Sequence, residues 1–186
     1  MNAIFSSLLT SAGLGVGAGL NAYATMLVFG LLARFRPDTF SGELPRFFAS
    51  TPVLAVVGVL YLVEFVADKV PAIDHIWDVI HTFIRPAAGA LVAWAAVAKG
   101  VPHGAVIVAS VLAGTTALGA HAAKATTRAA STVATGGIAN PFLSLAEDVF
   151  AFAGALIALF LPLLVLVVLL LVVLFFWRLA RRPGRA

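Results

Sequence analysis

The stretch Phe142–Ala180, FLSLAEDVFAFAGALIALFLPLLVLVVLLLVVLFFWRLA, decides where this chain resides. Among its 39 residues, Glu147, Asp148 and Arg178 alone carry charge. As one α-helix at 1.5 Å per residue it would extend roughly 58 Å, twice a hydrocarbon core of about 30 Å. Pro162 divides it into two lengths that each fit, so the expectation is two helices, or one sharply kinked at Pro162. Arg178, Arg181, Arg182 and Arg185 crowd the end of the chain. A basic cluster after an apolar run marks a cytoplasmic end under the positive-inside rule. Residues 181–186 are therefore expected as a basic cytoplasmic tail.

The whole chain agrees with this reading. Of its 186 residues 62% are apolar and 11% charged, with a mean hydropathy of +1.07. Soluble domains run about 45–50% apolar and roughly 25% charged. Disorder and a soluble enzyme are excluded by this balance, and a disulfide framework or thiolate chemistry by the absence of cysteine. The net charge of +4 belongs to the C-terminal arginines, because the remaining chain balances eight bases against eight acids. The tail lacks an accompanying basic fold, so no nucleic-acid partner is expected.

Working back from the C-terminus, a first apolar segment covers about Ala3 to Leu32, interrupted by Gly13, Gly15, Gly17 and Gly19. Arg34, Arg36 and Arg46, with Pro37, Asp38, Glu43 and Pro45, form a polar loop expected on the cytoplasmic side. A second segment runs from about Thr51 to Ala67 and ends in the charged group Glu64, Asp68 and Lys69. The stretch Pro71 to Ala98 reads as two pieces, an amphipathic one up to Arg85 and an apolar one opened by Pro86. A fourth region starts near His103, and Gly136-Gly137 and Asn140-Pro141 punctuate the chain before the last. The count gives five to seven crossings. Ala22-Tyr23-Ala24 imitates a signal-peptidase site, but no base precedes it, so the first segment is expected to remain as a helix.

Two patches echo one another. Pro71 stands seven residues before Asp78-Val79, as Pro141 does before Asp148-Val149. Ala88-Gly-Ala-Leu-Val-Ala93 matches Ala153-Gly-Ala-Leu-Ile-Ala158, and Ala22-Tyr-Ala-Thr25 matches Ala123-Lys-Ala-Thr126. Chance similarity between alanine-rich helices is one explanation; a duplicated unit, with halves at about 3–98 and 103–180, is the other. Duplicated units, often inverted, frame midplane sites in many transporters. The expected fold is accordingly an all-α, polytopic transmembrane bundle forming one domain over 1–186, with broken or kinked helices and a degenerate internal repeat.

Charge inside apolar territory supplies the candidate site. Asp74, Asp78, His81 and Arg85 follow the spacing i, i+4, i+7, i+11 and share one helical face, with Ile73, Ile76, Trp77, Ile80 and Phe83 opposite. His121, Lys124, Arg128 and Ser131 form a second, basic stripe. Glu147 and Asp148 add two acids, and Asn21 and Asn140 add amides at chain breaks. A charge at the bilayer centre costs about 2.5–3.5 kcal/mol on insertion scales, so these groups should pair or face water. Asp74 and Asp78 are expected to meet Lys124 or Arg128. Three readings stay open for the acidic stripe: an interfacial helix with its polar face in water, an ion-pair core that fixes register, or the lining of a polar pathway.

Other chemistries fit less well. Asp78-x-x-His81, with Asp74 and His75 nearby, has donor types that suit divalent metals but lacks a second matching set, so no metal site and no cofactor is assigned. No nucleophile turn accompanies Asp78 and His81, so no catalytic residue is assigned either. The glycine run lacks the preceding strand and the Gly-Lys-Ser/Thr ending of a phosphate loop. Its G-x-x-x-G pairs, Gly13/Gly17 and Gly15/Gly19, permit close helix packing, or else mark a broken helix lining a cavity with Asn21 at its edge.

The segments GLNAYATMLVFGLLAR from Gly19, DKVPAIDHIWDVIHTFIRPAAGAL from Asp68, and HAAKATTRAAS through NPFLSLAEDV resemble a bacterial integral-membrane family known as domain of unknown function 4126. The resemblance covers Gly19 to about Val149 and implies a membrane protein, without an activity or a site role to carry over. The leading functional expectation is that a small solute or ion binds or passes between the acidic and basic stripes of a protein in the bacterial inner membrane. The alternatives are an accessory subunit packed on another membrane protein or a second copy of itself, and, ranked last, an intramembrane enzyme.

Overall fold

The computed structural model describes residues 2–40, 42–69 and 71–181; the side chains of residues 71–76, 176, 179 and 180 lie outside the described set. Among the described residues eight helices follow in order: α1 (Ala3–Leu20), α2 (Ala22–Phe35), α3 (Glu43–Ala49), α4 (Thr51–Ala67), α5 (Pro71–Val97), α6 (His103–Thr135), α7 (Asn140–Phe160) and α8 (Pro162–Ala180). Among the described residues there is no strand.

Chain breaks fall where the local chemistry favours them. Asn21, extended at φ −150° and ψ 109°, ends α1 and caps α2, its Oδ1 accepting from the Ala24 N–H at 2.8 Å. Gly136 closes α6 in the left-handed region at φ 63°, open to glycine without strain. The break at Leu161 divides the long C-terminal run into α7 and α8, as Pro162 leads one to expect. Pro86 behaves differently. It lies inside an unbroken α5, so the expected division of Pro71–Ala98 into two pieces is corrected to one helix. Proline removes a single backbone donor, and the packing around it holds the helix together: Gly114 of α6 sits against the Pro86 carbonyl.

Two ends of the bundle can be distinguished, one at Lys99 and one at Asp68. Helices α4 and α6 run towards the Asp68 end, and α5 and α7 run back. The first apolar segment does not continue past Asn21 as one helix. Ala3, Ser6 and Ser7 border a cleft with Thr39, Phe40 and Lys99, and Ala33 and Arg34 border another with Lys99. Both outer ends of α1 and α2 are thus at the Lys99 end, and the two form a helical hairpin whose tip is Asn21.

The glycines of α1 explain its central position. Gly13 and Gly17 face α7 at Ala158 and Ala151, while Gly15 and Gly19 face α6 at Ala113 and Ala117. Each G-x-x-x-G pair therefore admits a different neighbour, as the packing reading expects, and the helix breaks at Asn21 as well. The apolar core joins Leu14, Val28, Phe29, Phe48, Val92 and Ala155 towards the Lys99 end.

Val56, Val59, Leu62 and Val66 of α4, Val79 and Phe83 of α5, Val108 and Val111 of α6, and Val149 and Phe150 of α7 point outward and are exposed. This is consistent with contact with a lipid bilayer. Among the described residues, four helices are long and apolar enough to cross a membrane, and a fifth crossing arises if α3 and α4, bent by 59°, count as one span. The expected five to seven crossings meet this count only at five.

Candidate functional site

Helix α5 is amphipathic in the sense opposite to that of an interfacial helix. Val79, Ile80 and Phe83 face outward, while Asp78, His81 and Arg85 are buried against α4, α1 and α6. The interfacial reading of this stripe is thereby removed. A side chain such as Arg85 is tolerated in apolar surroundings because its donors find partners. Arg85 donates from Nη2 to Glu64 Oε1 at 2.7 Å and from Nη1 to the Gly19 carbonyl at 3.0 Å. Arg85 and Glu64 are both 0% exposed.

Hydrogen-bond logic fixes the two histidines. Arg85 Nη1 also donates to His121 Nδ1 at 2.7 Å, so that nitrogen carries a lone pair and the ring proton sits on Nε2. From there it is directed to the Asp78 carbonyl and the Thr82 hydroxyl, both at 3.1 Å. In His81, Nδ1–H donates to the Trp77 carbonyl at 2.8 Å. Its Nε2 is 3.9 Å from Glu64 Oε1, beyond hydrogen-bond distance.

A second cluster lies one to two turns nearer the Asp68 end. Lys124 donates to Asp68 Oδ2 at 2.9 Å and to the Leu20 carbonyl at 3.1 Å. Arg128 meets the same Asp68 oxygen at 2.8 Å and pairs with Glu147 through Nε and Nη2. Lys124 Nζ is 3.4 Å from Glu147. Burial would push the Asp68 carboxyl up, but the Lys124 ammonium and the Arg128 guanidinium outweigh it and hold the group below the ordinary carboxylate range. At the hairpin tip, Asn21 Nδ2 donates to Asp148 Oδ1 at 2.8 Å. Asn140 is not part of the ionic clusters; its amide donates to Thr132 at 2.8 Å.

The expected pairing is corrected for Asp78. It meets Arg85 and His121, each at 3.9 Å, rather than Lys124 or Arg128, which among the described residues meet Asp68 and Glu147. Lys124 and Arg128 lie one and two turns beyond His121 along α6 and pass the end of α4 instead of the middle of α5. The side chain of Asp74 lies outside the described residues. Glu64 and Asp68 hold central positions yet carry no signal in the spacing of either stripe; being the charges that close an apolar run was their one mark. The peptide carbonyls of Gly19 and Leu20 carry no side-chain signal at all.

Sharing is the rule for donors in this core, and it leaves acceptors over. Buried without a hydrogen-bond partner among the described residues are the acceptors Glu64 Oε2, Asp68 Oδ1, Asp78 Oδ1, Asn140 Oδ1, Asp148 Oδ2 and His81 Nε2, against the donors Arg85 Nε and Trp77 Nε1 and the hydroxyls of Ser11, Ser131 and Ser144. Groups of three or more His, Asp or Glu arranged to hold a metal ion are absent among the described residues.

Membrane-length apolar helices wrapped around a buried ionic core define a multi-pass helical membrane protein. Within that class the chain belongs to the family described as Domain of unknown function (DUF4126), whose model matches residues 8–182. No curated protein and no solved structure matches the chain.

Proposed function

We propose that the ionic core is the open half of an alternating-access pathway: a proton or small cation enters from the Asp68 end to the level of Glu64 and Arg85, and movement of the broken α1–α2 hairpin releases it towards the other end. The observation that carries this reading is the surplus of buried acceptors over donors, since a cation, a proton or a proton-donating water satisfies them. Charge supports it too. Among the described residues, Glu64, Asp68, Asp78, Glu147 and Asp148 face Arg85, Lys124 and Arg128, five acids against three bases, with Lys69 at the margin. Two of the carboxylates reach the surface, Glu147 at 13% and Asp78 at 12% side-chain exposure, whereas the Glu64 and Arg85 side chains are 0% exposed. In this reading Asp148 and Glu147 attract the ion, Asp68 and Asp78 pass it inward, and Lys124 and Arg128 hold the carboxylates apart. Asn140 offers a free amide oxygen beside the entrance, and Asn21 anchors Asp148 there through its amide N–H.

A structural reading is the competitor, and a specific observation favours it: Asp68, Lys124, Arg128 and Glu147 neutralise one another, as a register-fixing core of an accessory subunit would. Liposomes loaded with a pH-sensitive dye separate the two. Under an imposed potential, wild-type protein is expected to accelerate proton or cation entry at least about tenfold over empty vesicles, and Asp68→Asn to abolish the gain. Flux equal to that of empty vesicles from monodisperse protein establishes the accessory reading instead.

We further propose a bacterial inner-membrane location with the Lys99 end in the cytoplasm, where Arg34, Arg36, Arg46 and Lys99 gather. The chain has no cysteine, so a single cysteine at Gly100 is expected to react with an impermeant thiol reagent in inverted vesicles and not in intact cells. Labelling in intact cells reverses the assignment, and the same experiment at Ala186 places the basic tail.

Duplication belongs among the proposals as well, and as a parallel rather than an inverted one. What supports it is that α1 runs with α6 and α5 with α7, while the polar pairs are exchanged between copies. Asn21 of the first copy bonds Asp148 of the second, and His121 of the second faces Asp78 of the first. Superposition of α1 and α5 on α6 and α7 should align Asn21 with Ala122, the register of the matched tetrapeptides; alignment in any other register removes the duplication.

A further inference from the structure

We infer that His81 and Glu64 form a proton-binding site at the closed end of the ionic core. This inference rests on the pathway reading above and names the proton as the occupant. Three features single out His81. Its Nδ1–H is committed to the Trp77 carbonyl, which leaves the lone pair on Nε2 as the basic atom. That atom is buried, without a partner among the described residues, and directed at Glu64 Oε1 3.9 Å away. The ring is held in place by Tyr23 edge-on at 5.5 Å and Trp77 at 5.1 Å, so Nε2 cannot turn elsewhere without disturbing both.

His121 does not compete for this role. Arg85 donates to its Nδ1, so a proton there would face a guanidinium. A proton reaching His81 adds to the Nε2 lone pair and breaks no bond in the protein. The imidazolium then closes on the Glu64 carboxylate as a charge-assisted hydrogen bond, after a shift of about 1 Å. Release breaks the same N–H bond and returns the proton to the file of acceptors. The charged and titratable groups facing His81 are Glu64 and Asp68 from α4 and its end, Tyr23 from α2, Arg85 from its own helix and Lys124 from α6. Arg85 and Lys124 oppose protonation, and Glu64 is the nearest group that favours it. Glu64 is therefore the determinant to test.

Protein with ¹⁵N-labelled imidazoles in lipid bilayers gives a direct reading by solid-state NMR. In wild type, one ring is expected to be the Nδ1–H tautomer near neutral pH and to become imidazolium as the pH is lowered. That signal should vanish in His81→Asn. Glu64→Gln should weaken proton binding about tenfold or more, moving the midpoint to lower pH, because an anion near the ring is lost. A His81 ring found as the Nε2–H tautomer, a ring that keeps its state throughout, or a midpoint unchanged in Glu64→Gln overturns the site. The first two readings need no variant and decide the matter if a substituted protein fails to fold. Proton flux that survives in His81→Asn also overturns the site while the pathway stands. A titrating His81 in protein that passes no ion supports the site and removes the pathway.

Discussion

Replacing Glu64 by leucine is expected to destabilise the protein by about 3–5 kcal/mol, the cost typical of leaving one member of a buried ion pair uncompensated. Glu64 is fully buried and is the carboxylate closest to Arg85, at 2.7 Å. The next, Asp78, is 3.9 Å away. Without Glu64, the Arg85 guanidinium keeps the Gly19 carbonyl and the His121 ring, neither of which carries a full negative charge. The double variant Glu64→Leu/Arg85→Met removes both charges and should recover most of the loss, since a well-packed apolar pair often replaces a buried ion pair without penalty. Unfolding from mixed micelles followed by circular dichroism measures the full cycle. A single-variant loss below about 1 kcal/mol would show that Arg85 is adequately held by its other partners.

The second large effect is steric. Gly19→Leu should cost about 3 kcal/mol or more and lower the yield of folded protein, because overpacking at a backbone contact has no inexpensive relaxation. A Cβ on Gly19 would strike the Ala117 carbonyl oxygen and lie 2.6 Å from the Ala120 methyl group. The clash would push α1 off α6 and with it the Gly19 carbonyl off Arg85. Gly119→Leu is the matched control: no heavy atom lies within 4 Å of a Cβ built there, so its stability should stay within about 0.5 kcal/mol of wild type. Fluorescence-detected size-exclusion chromatography after graded heating distinguishes the two, and equal behaviour would contradict the close approach of α1 and α6.

How far the sequence carried depended on whether a feature was local. Apolar runs, the break at Pro162, and Asp78, His81 and Arg85 sharing one face of α5 follow from composition and helical period, which act over a few turns. The partners of that face do not. Glu64 meets Arg85 across 21 residues and Asp68 meets Lys124 across 56, and nothing in either stripe states which turn of one helix lies beside which turn of another. Pairing by charge sign alone therefore placed Asp78 opposite Lys124 or Arg128, one or two turns along α6 from His121, which it meets. Pro86 misleads for a related reason: its local preference is to interrupt, and tertiary packing against Gly114 overrides it. Asn21 was legible as a polar residue in apolar surroundings, whereas the reversal of direction it introduces was not.

That reversal bears on the order in which the molecule can be assembled. The last carbonyls of a helix have no partner within it, and in the α1–α2 hairpin those of Gly19 and Leu20 are satisfied by Arg85 and Lys124, 66 and 104 residues further along. Asn21 finds Asp148 only 127 residues later. During synthesis the hairpin is therefore made before the helices that complete it. Until α5, α6 and α7 have entered, its tip must keep water or the insertion machinery as a provisional partner.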